Sequence, residues 1–134
     1  MSPKKDRMYK AEYAKVLISI ANGDLESAEI LRAGLKGRQE NTCYLAEQCI
    51  EKSLKALLVH LNMPVPLTHD LGLISERLST RVKLPTDVDL SQFNEFATTR
   101  RYEEGALVLD DDDLDAAISL AKEILEWAKS ILQS

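Results

Sequence analysis

The sequence is poor in aromatic residues, cysteines and histidines. Aromatic residues make up 5% of the 134 residues, and runs of β-branched residues are scarce, which disfavours a β-sheet protein. The hydrophobic share of 45% consists largely of Leu, Ala and Ile, which suits helices. Length and composition predict one globular domain over residues 1–134, with a flexible start at 1–9 and a core from 10 to 132.

The two cysteines, Cys43 and Cys49, both fall within one helical pattern. Six residues of helix separate them by about 9 Å along the axis, which is too far for a disulfide between them. Their spacing does not suit a zinc site, and only His60 and His69 are available as further ligands. We interpret both cysteines as small core or interface residues, and the sequence indicates no metal and no other cofactor.

Long apolar runs are also missing from the sequence, since none approaches the ~20 residues that a membrane span requires. Residues 1–10 are polar and lysine-rich and lack the features of a secretion signal. We therefore expect a cytoplasmic protein without membrane contact. The net charge of −5 repels phosphate backbones at long range, which disfavours sequence-independent nucleic-acid binding. A local basic cluster can still bind a nucleotide or an RNA end.

Apolar residues recur at three- and four-residue steps along most of the chain, which predicts helices. The first segment is predicted as one long helix because its apolar stripe keeps its phase across Asn22 and Gly23. Pro64 and Pro66 are expected to end the second segment. The pattern as a whole predicts an all-α, antiparallel up-down bundle of about five helices. These run over about residues 10–35, 41–62, 70–80, 87–100 and 112–132, with a loop at 100–109.

Two charged groups of residues lie on these predicted helices. On the second segment, Glu47, Glu51, Lys52 and Lys55 form the polar face, and Glu51 precedes Lys55 at the favourable four-residue spacing. The acidic run at 110–113 offers the carboxylate oxygens that magnesium takes, but consecutive aspartates point in different directions. Because the run precedes a helix, where negative charge is favourable, we predict that it caps the last helix.

Three stretches of the sequence together resemble one known family. Residues 45–58 read Leu-Ala-Glu-Gln-Cys-Ile-Glu-Lys-Ser-Leu-Lys-Ala-Leu-Leu, residues 68–71 read Thr-His-Asp-Leu, and residues 99–103 read Thr-Arg-Arg-Tyr-Glu. They are similar to the Glu-Lys-x-x-Lys-Ala-Leu-Leu run, the third-helix opening and the Arg-Tyr-Pro signature of the HEPN (higher eukaryotes and prokaryotes nucleotide-binding) domain. Glu103 stands where Pro is usual. The resemblance covers about residues 10–132 and suggests a small stand-alone prokaryotic member.

The resemblance implies a helical bundle that is commonly a homodimer. Many relatives act beside a minimal nucleotidyltransferase in toxin–antitoxin pairs, and one large branch cleaves RNA with an Arg followed by four to six residues and then His. That motif is absent here, because neither His60 nor His69 has an Arg at the required distance upstream, and no histidine follows His69. Cleavage by that mechanism needs a proton donor and acceptor near neutral pH, a role that histidine fills best.

The strongest candidate for ligand binding in the sequence is the polar group Arg100, Arg101 and Tyr102. Two guanidinium groups beside a phenol can hold a phosphate and stack on a base. Alternatively, one Arg forms a salt bridge with an acidic residue while Tyr102 packs on the bundle. The sequence leaves both interpretations open.

Four further residues are candidates for ligand binding. His69 and Asp70 can form a histidine–carboxylate pair, or they can belong to a helix start at which Asp70 favours the macrodipole. Lys52 and Lys55 can add positive charge to a ligand cleft, or they can lie on a solvated helix face.

The leading hypothesis is a non-catalytic binding module of the HEPN type. It would act with a nucleotidyltransferase partner, bind a nucleotide or RNA through Arg100, Arg101 and Tyr102, or do both. One alternative is a divergent ribonuclease toxin. The other is a plain dimeric interaction protein.

Overall fold

The computed structural model describes residues 3–34, 39–91 and 110–134. Within these ranges the chain is all-α, as predicted, and Leu90 and Ser91 are helical at the edge of the second range. Residues 87–89, where the fourth helix is predicted to begin, are not helical, so that start is wrong. The rest of the predicted helix at 87–100 and the predicted loop at 100–109 lie outside the described residues. The described helices are α1 (Pro3–Gly34), α2 (Gln39–His60), α3 (Leu71–Leu78) and α4 (Asp111–Gln133).

Helix α1 is continuous through Asn22 and Gly23, which confirms the prediction of one long helix. It begins at Pro3, earlier than the predicted start near residue 10. The Asn22 side chain donates a hydrogen bond to Glu26 Oε1 (3.0 Å) and accepts one from Lys129 Nζ of α4 (3.0 Å). These two bonds occupy the side chain that would otherwise compete with the helix backbone, so the Asn–Gly pair does not end the helix.

Helix α2 is the central element of the bundle, because it packs against α1, α3 and α4. It is buried on nearly all sides rather than along one stripe. The core that surrounds it combines leucines, isoleucines and alanines from all four helices, together with Leu90. The buried residues of α2 are Thr42, Cys43, Ala46, Glu47, Cys49, Ile50, Glu51, Ser53, Leu54, Ala56, Leu57, Leu58 and Val59.

The end of α2 is set by Asn62, which adopts a left-handed backbone conformation with φ 59°. The Met63 amide donates to the Leu58 carbonyl (2.8 Å) and the Asn62 amide donates to the Val59 carbonyl (3.1 Å). This is the pair of bonds of a Schellman motif, in which Asn is one of the few residues that tolerate the left-handed position. The helix therefore ends before Pro64, and the prolines only prevent its continuation.

Acidic side chains cap α3 and α4. Asp70 Oδ1 accepts hydrogen bonds from the amides of Gly72 (2.9 Å) and Leu73 (3.2 Å) at the start of α3. Asp110 Oδ1 accepts from the Asp113 amide (2.8 Å), and Asp113 Oδ2 accepts from the Asp110 amide (3.2 Å), which forms a capping box. The prediction that the acidic run caps the last helix is confirmed.

The apolar stripes of α1 and α4 meet on α2. The apolar stripe of α1 is buried at four positions, and Leu31, which continues the stripe, is half-buried. Cys43 and Cys49 are free thiols in the core, as predicted, and Trp127 is half-buried against it. None of the described helices is long and apolar enough to cross a membrane. The buried stripe residues are Leu17, Ala21, Leu25 and Ala28 of α1 and Leu114, Ala117, Ala121, Ile124, Leu125 and Ala128 of α4.

Candidate functional site

Glu51 is a fully buried carboxylate in the middle of α2, with a relative exposure of 0%. The prediction that Glu51 belongs to the polar face of the second helix is wrong, because the residue lies in the interior. Glu51 shares a helix face with Leu54 and Leu58, which are also fully buried. Because three other helices pack around α2, this face lies inside the bundle. A buried carboxylate is costly unless it is paired and hydrogen-bonded.

Three side chains provide that pairing. The Nζ atoms of Lys52 and Lys55 each lie 3.2 Å from Glu51 Oε2, the Lys55 contact being the i, i+4 pair that the sequence predicted. His69 Nδ1 lies 3.0 Å from Glu51 Oε1 and 3.1 Å from Oε2. Lys52 Nζ also donates to Gln48 Oε1 (3.3 Å). We refer to Glu51, Lys52, Lys55 and His69 as the Glu51 cluster.

The protonation of Glu51 follows from these contacts. Burial by itself would raise the pKa of Glu51, but the charge of Lys52, the hydrogen bond from His69 and the charge of Lys55 outweigh it, so the pKa is lower than its ordinary value. Glu51 is therefore ionised at neutral pH and can only accept hydrogen bonds. It follows that His69 Nδ1 carries a hydrogen and donates it to Glu51.

The cluster extends from the core to the surface where α2 meets the start of α3. Glu51 is at its buried end, the side chains of Lys55 and Lys52 are 15% and 23% exposed, and that of His69 is 80% exposed. A solute can therefore reach the histidine and the exposed part of both lysine side chains. The buried carboxylate fixes the positions of these three groups from beneath.

Helix α1 adds a second acidic group near the cluster. Burial raises the pKa of Asp24, and the positive charge of Lys52 partly counters this effect. Lys52 thus has carboxylates of both α1 and α2 in its neighbourhood. Among the described residues, no buried side-chain nitrogen or oxygen lacks a hydrogen-bond partner, so the charged groups are accommodated without an orphaned polar atom.

The structure brings together three of the predicted ligand-binding residues, Lys52, Lys55 and His69. Asp70 is adjacent in sequence, but its carboxylate caps α3, and the carboxylate partner of His69 is Glu51. Arg100, Arg101 and Tyr102 lie outside the described residues. The sequence analysis missed the central role of Glu51, and the one available signal was that it continues the helix face of Leu54 and Leu58.

A groove of about 560 Å³ lies along α3 and includes none of the residues of the Glu51 cluster. Asp70, Glu76 and Asp89 line it together with serines. These carboxylates would repel a phosphate or any other anion. The Glu51 cluster, which supplies ammonium groups and an imidazole, is therefore the better candidate for binding a phosphate.

Comparison with known proteins gives a consistent result. The sequence model of the HEPN domain matches residues 14–131. A crystal structure described as an archaeal HEPN homologue superimposes with a TM-score of 0.65 at 28% sequence identity, covering 89% of this chain and 97% of the homologue. Among curated proteins, none matches this chain.

Proposed function

Because the chain belongs to the HEPN domain family, we propose that it is a non-catalytic binding module that holds a phosphate of a nucleotide or RNA at the Glu51 cluster. In this proposal the chain pairs with a second copy of itself and acts with a nucleotidyltransferase. The single observation that carries the ligand part is the contact of Lys52, Lys55 and His69 with one buried carboxylate.

The geometry of the two lysines supports a phosphate ligand. Each ammonium group has three hydrogens, and its contact with Glu51 Oε2 uses one of them; Lys52 uses a second on Gln48 Oε1. Both side chains are partly exposed, so further hydrogens can point outward to phosphate oxygens. Charge-assisted hydrogen bonds of this kind are about twice as strong as neutral ones. Glu51 holds both ammonium groups in place before the ligand arrives, which lowers the entropic cost of binding.

The burial of Glu51 also favours a role in function over a role in stability. Removing charges from water is expensive, and replacing a buried ion pair by apolar side chains is often neutral or stabilising. A fold in need of stability alone would gain as much from a leucine at this position. A buried carboxylate whose pKa is shifted by specific charged partners, and which contacts a side chain that reaches the surface, is typical of binding and catalytic sites.

The proposal also includes Arg100, Arg101 and Tyr102, the group at the site of the family's Arg-Tyr-Pro signature. Two guanidinium groups would add bidentate contacts to phosphate oxygens, and Tyr102 would stack on the base. These three residues lie outside the described part of the chain, so their share in the site is a prediction from the sequence. It is tested separately through Arg101.

A thermal-shift titration with ATP, and in parallel with a short single-stranded RNA, tests the ligand. A ligand that binds only the folded chain must raise its melting temperature. We expect a rise with the wild type, and we expect Lys55→Ala and Arg101→Ala each to weaken binding by about tenfold or more, since each removes a charge-assisted hydrogen bond. Lys122→Ala, which removes an exposed lysine of α4, is the matched control and should bind like the wild type.

Two results would contradict the ligand part. One is the absence of any shift at millimolar nucleotide or RNA. The other is equal binding by Lys55→Ala and Lys122→Ala, which would place the ligand elsewhere. Circular dichroism of each variant before the titration separates lost binding from lost folding.

The partner part is tested by mixing the purified chain with a minimal nucleotidyltransferase of the kind that accompanies many relatives. We expect the two proteins to co-elute and the activity of the enzyme to change. If neither happens, the partner is lost from the proposal while the ligand part stands on its own titration. Sedimentation of the chain alone tests the homodimer.

A divergent ribonuclease is the second candidate, and the contact between His69 Nδ1 and Glu51 is the observation that favours it. A carboxylate that orients an imidazole beside two ammonium groups offers groups suited to proton transfer and phosphate stabilisation. The test is incubation of the purified chain with end-labelled RNA. Cleavage that His69→Ala abolishes and Lys122→Ala preserves would promote this candidate over the binding module.

A further inference from the structure

The outer face of α1 carries large apolar side chains that the bundle leaves exposed. Val16 is 54% exposed, Ile20 44% and Ile30 71%, and Tyr13 on the same helix is 45% exposed. Single exposed apolar residues are normal on a protein surface. Several of them along one helix form a patch, and patches mark interaction surfaces.

The spacing of these residues is regular. Tyr13, Val16 and Ile20 are followed at steps of three and four by positions 23, 27 and 30. This alternation is the 3.5-residue period of a helix that packs along a second helix. The residues that face the core, Ala14, Leu17, Ala21, Leu25 and Ala28, form a separate neighbouring stripe. Helix α1 therefore has an outer stripe beside its core stripe, and the apolar side chains of the outer stripe are exposed in the described part of the bundle.

The large and small residues of the outer stripe occupy different parts of its length. Position 23 is Gly, and a Cβ placed there would meet nothing within 4 Å. Position 27 is Ser, which is exposed. The large residues thus occupy the first half of the stripe, the small ones follow, and Ile30 closes it. Such an order leaves space for side chains of a partner next to positions 23 and 27.

We propose that the outer stripe of α1 pairs with the same stripe of a second copy of this chain, with the two helices antiparallel. A two-fold axis between residues 21 and 22 brings Ile20 against Gly23 of the partner subunit and Val16 against Ser27 of the partner subunit. Tyr13 then meets Ile30 of the partner subunit. The surface is self-complementary, because each large side chain faces a small one near the axis.

A parallel pairing of the same stripes fits less well. It would place Ile20 against Ile20 of the partner subunit and Gly23 against Gly23 of the partner subunit. The isoleucine pair would be crowded, and the glycine pair would leave a gap. The antiparallel arrangement fills both layers. It also places the helix dipoles in opposition, which is electrostatically favourable.

The size of the stripe is consistent with a dimer. Its four large side chains expose on the order of 400 Å² per copy, which is about half of the ~800 Å² per partner in a standard interface. In the proposed pairing the remaining contact area would come from the residues that flank the stripe along α1. The inference rests on the homodimer that forms part of the proposed function, and it adds the surface and the direction of the two helices.

Sedimentation equilibrium over a concentration series tests the pairing with three variants. Val16→Glu puts a charge into the proposed interface and should weaken the dimer by ~100-fold or more, since the charge is buried without a partner. Val16→Glu combined with Ser27→Lys should recover most of this loss, because residue 16 of each copy faces residue 27 of the other. Within one chain these positions are about 16 Å apart along the helix, too far to pair. Lys15→Gln changes the net charge equally, lies off the stripe and should leave the dimer unchanged.

Each outcome decides a different point. A wild-type chain that is monomeric at ~100 µM, well above the Kd of a stable dimer, removes both the homodimer and this surface. A wild-type dimer that Val16→Glu leaves intact keeps the homodimer and overturns the surface. A dimer lost in Val16→Glu and not recovered in the double variant overturns the antiparallel direction. Since Val16 is more than half exposed, none of the substitutions should unfold the chain, and circular dichroism checks this.

Discussion

Replacement of Glu51 by glutamine is the sharpest test of the buried cluster. Glutamine keeps the shape and one acceptor oxygen of the side chain, so the loss is that of the negative charge between Lys52, Lys55 and His69. Breaking a buried ion pair by removing one partner costs ~3–5 kcal/mol. Because both lysines are partly exposed and can turn toward water, we expect a loss of about 2–4 kcal/mol in the free energy of unfolding.

The loss should depend on pH, with a sign set by the pKa of Glu51. Its pKa is lowered in the folded chain, so the stabilisation is fully present above the pKa of glutamate in the unfolded chain, ~4.3. The stabilisation is lost as the pH falls through the lower, folded-state value. Urea unfolding should therefore show a difference between wild type and Glu51→Gln that is constant near pH 6 and shrinks below about pH 4.

Glu123→Gln is the matched control, since Glu123 is exposed on α4. It should change the free energy of unfolding by no more than ~0.5 kcal/mol at either pH. The reasoning fails if Glu51→Gln behaves like this control at pH 6. It also fails if the loss stays the same down to pH 3, because protonation of the wild-type carboxylate must remove the advantage that the charge provides.

Two further predictions concern the packing of the bundle. Gly72→Ala should destabilise the chain by ~1–3 kcal/mol in urea unfolding, because a Cβ at Gly72 overlaps the Ser91 side chain and lies 3.1 Å from the Ser91 Cα. Gly34→Ala is the control and should be neutral, because a Cβ at Gly34 meets nothing within 4 Å. Equal behaviour of the two variants would refute the close packing at Gly72. Burial raises the pKa of the Cys49 thiol to about 12, and Cys43 is equally buried. A thiol-specific reagent at neutral pH should therefore label neither cysteine until the chain unfolds in denaturant. Fast labelling of the native chain would contradict their burial.

Most of the fold could be predicted from the sequence because its helices follow local rules. The stripe of Leu17, Ala21 and Leu25 keeps one phase, and the structure shows one unbroken helix there. The aspartates at 70 and 110 stand where helices begin and cap them. The exact end of α2 depends on a left-handed conformation that Asn62 accepts but does not require, so the sequence predicts only that the helix stops before Pro64.

The candidate site was harder to predict because it depends on contacts between distant parts of the chain. The polar face of α2 was inferred on the assumption that a helix buries one stripe. Helix α2 is enclosed on three sides, so the same assumption put Glu51 in water when it lies in the core. The partner of Glu51, His69, is eighteen residues away on a different element, and no sequence spacing indicates their contact.

The central position of α2 has a consequence for motion. Because three other helices enclose α2, its amide hydrogens can exchange only when the whole bundle opens. The eight-residue α3 has α2 as its main neighbour and can detach in a smaller fluctuation. Detachment of α3 would carry its preceding histidine away from a carboxylate that stays behind in the rigid centre. The site can thus come apart and re-form repeatedly during the lifetime of one folded molecule.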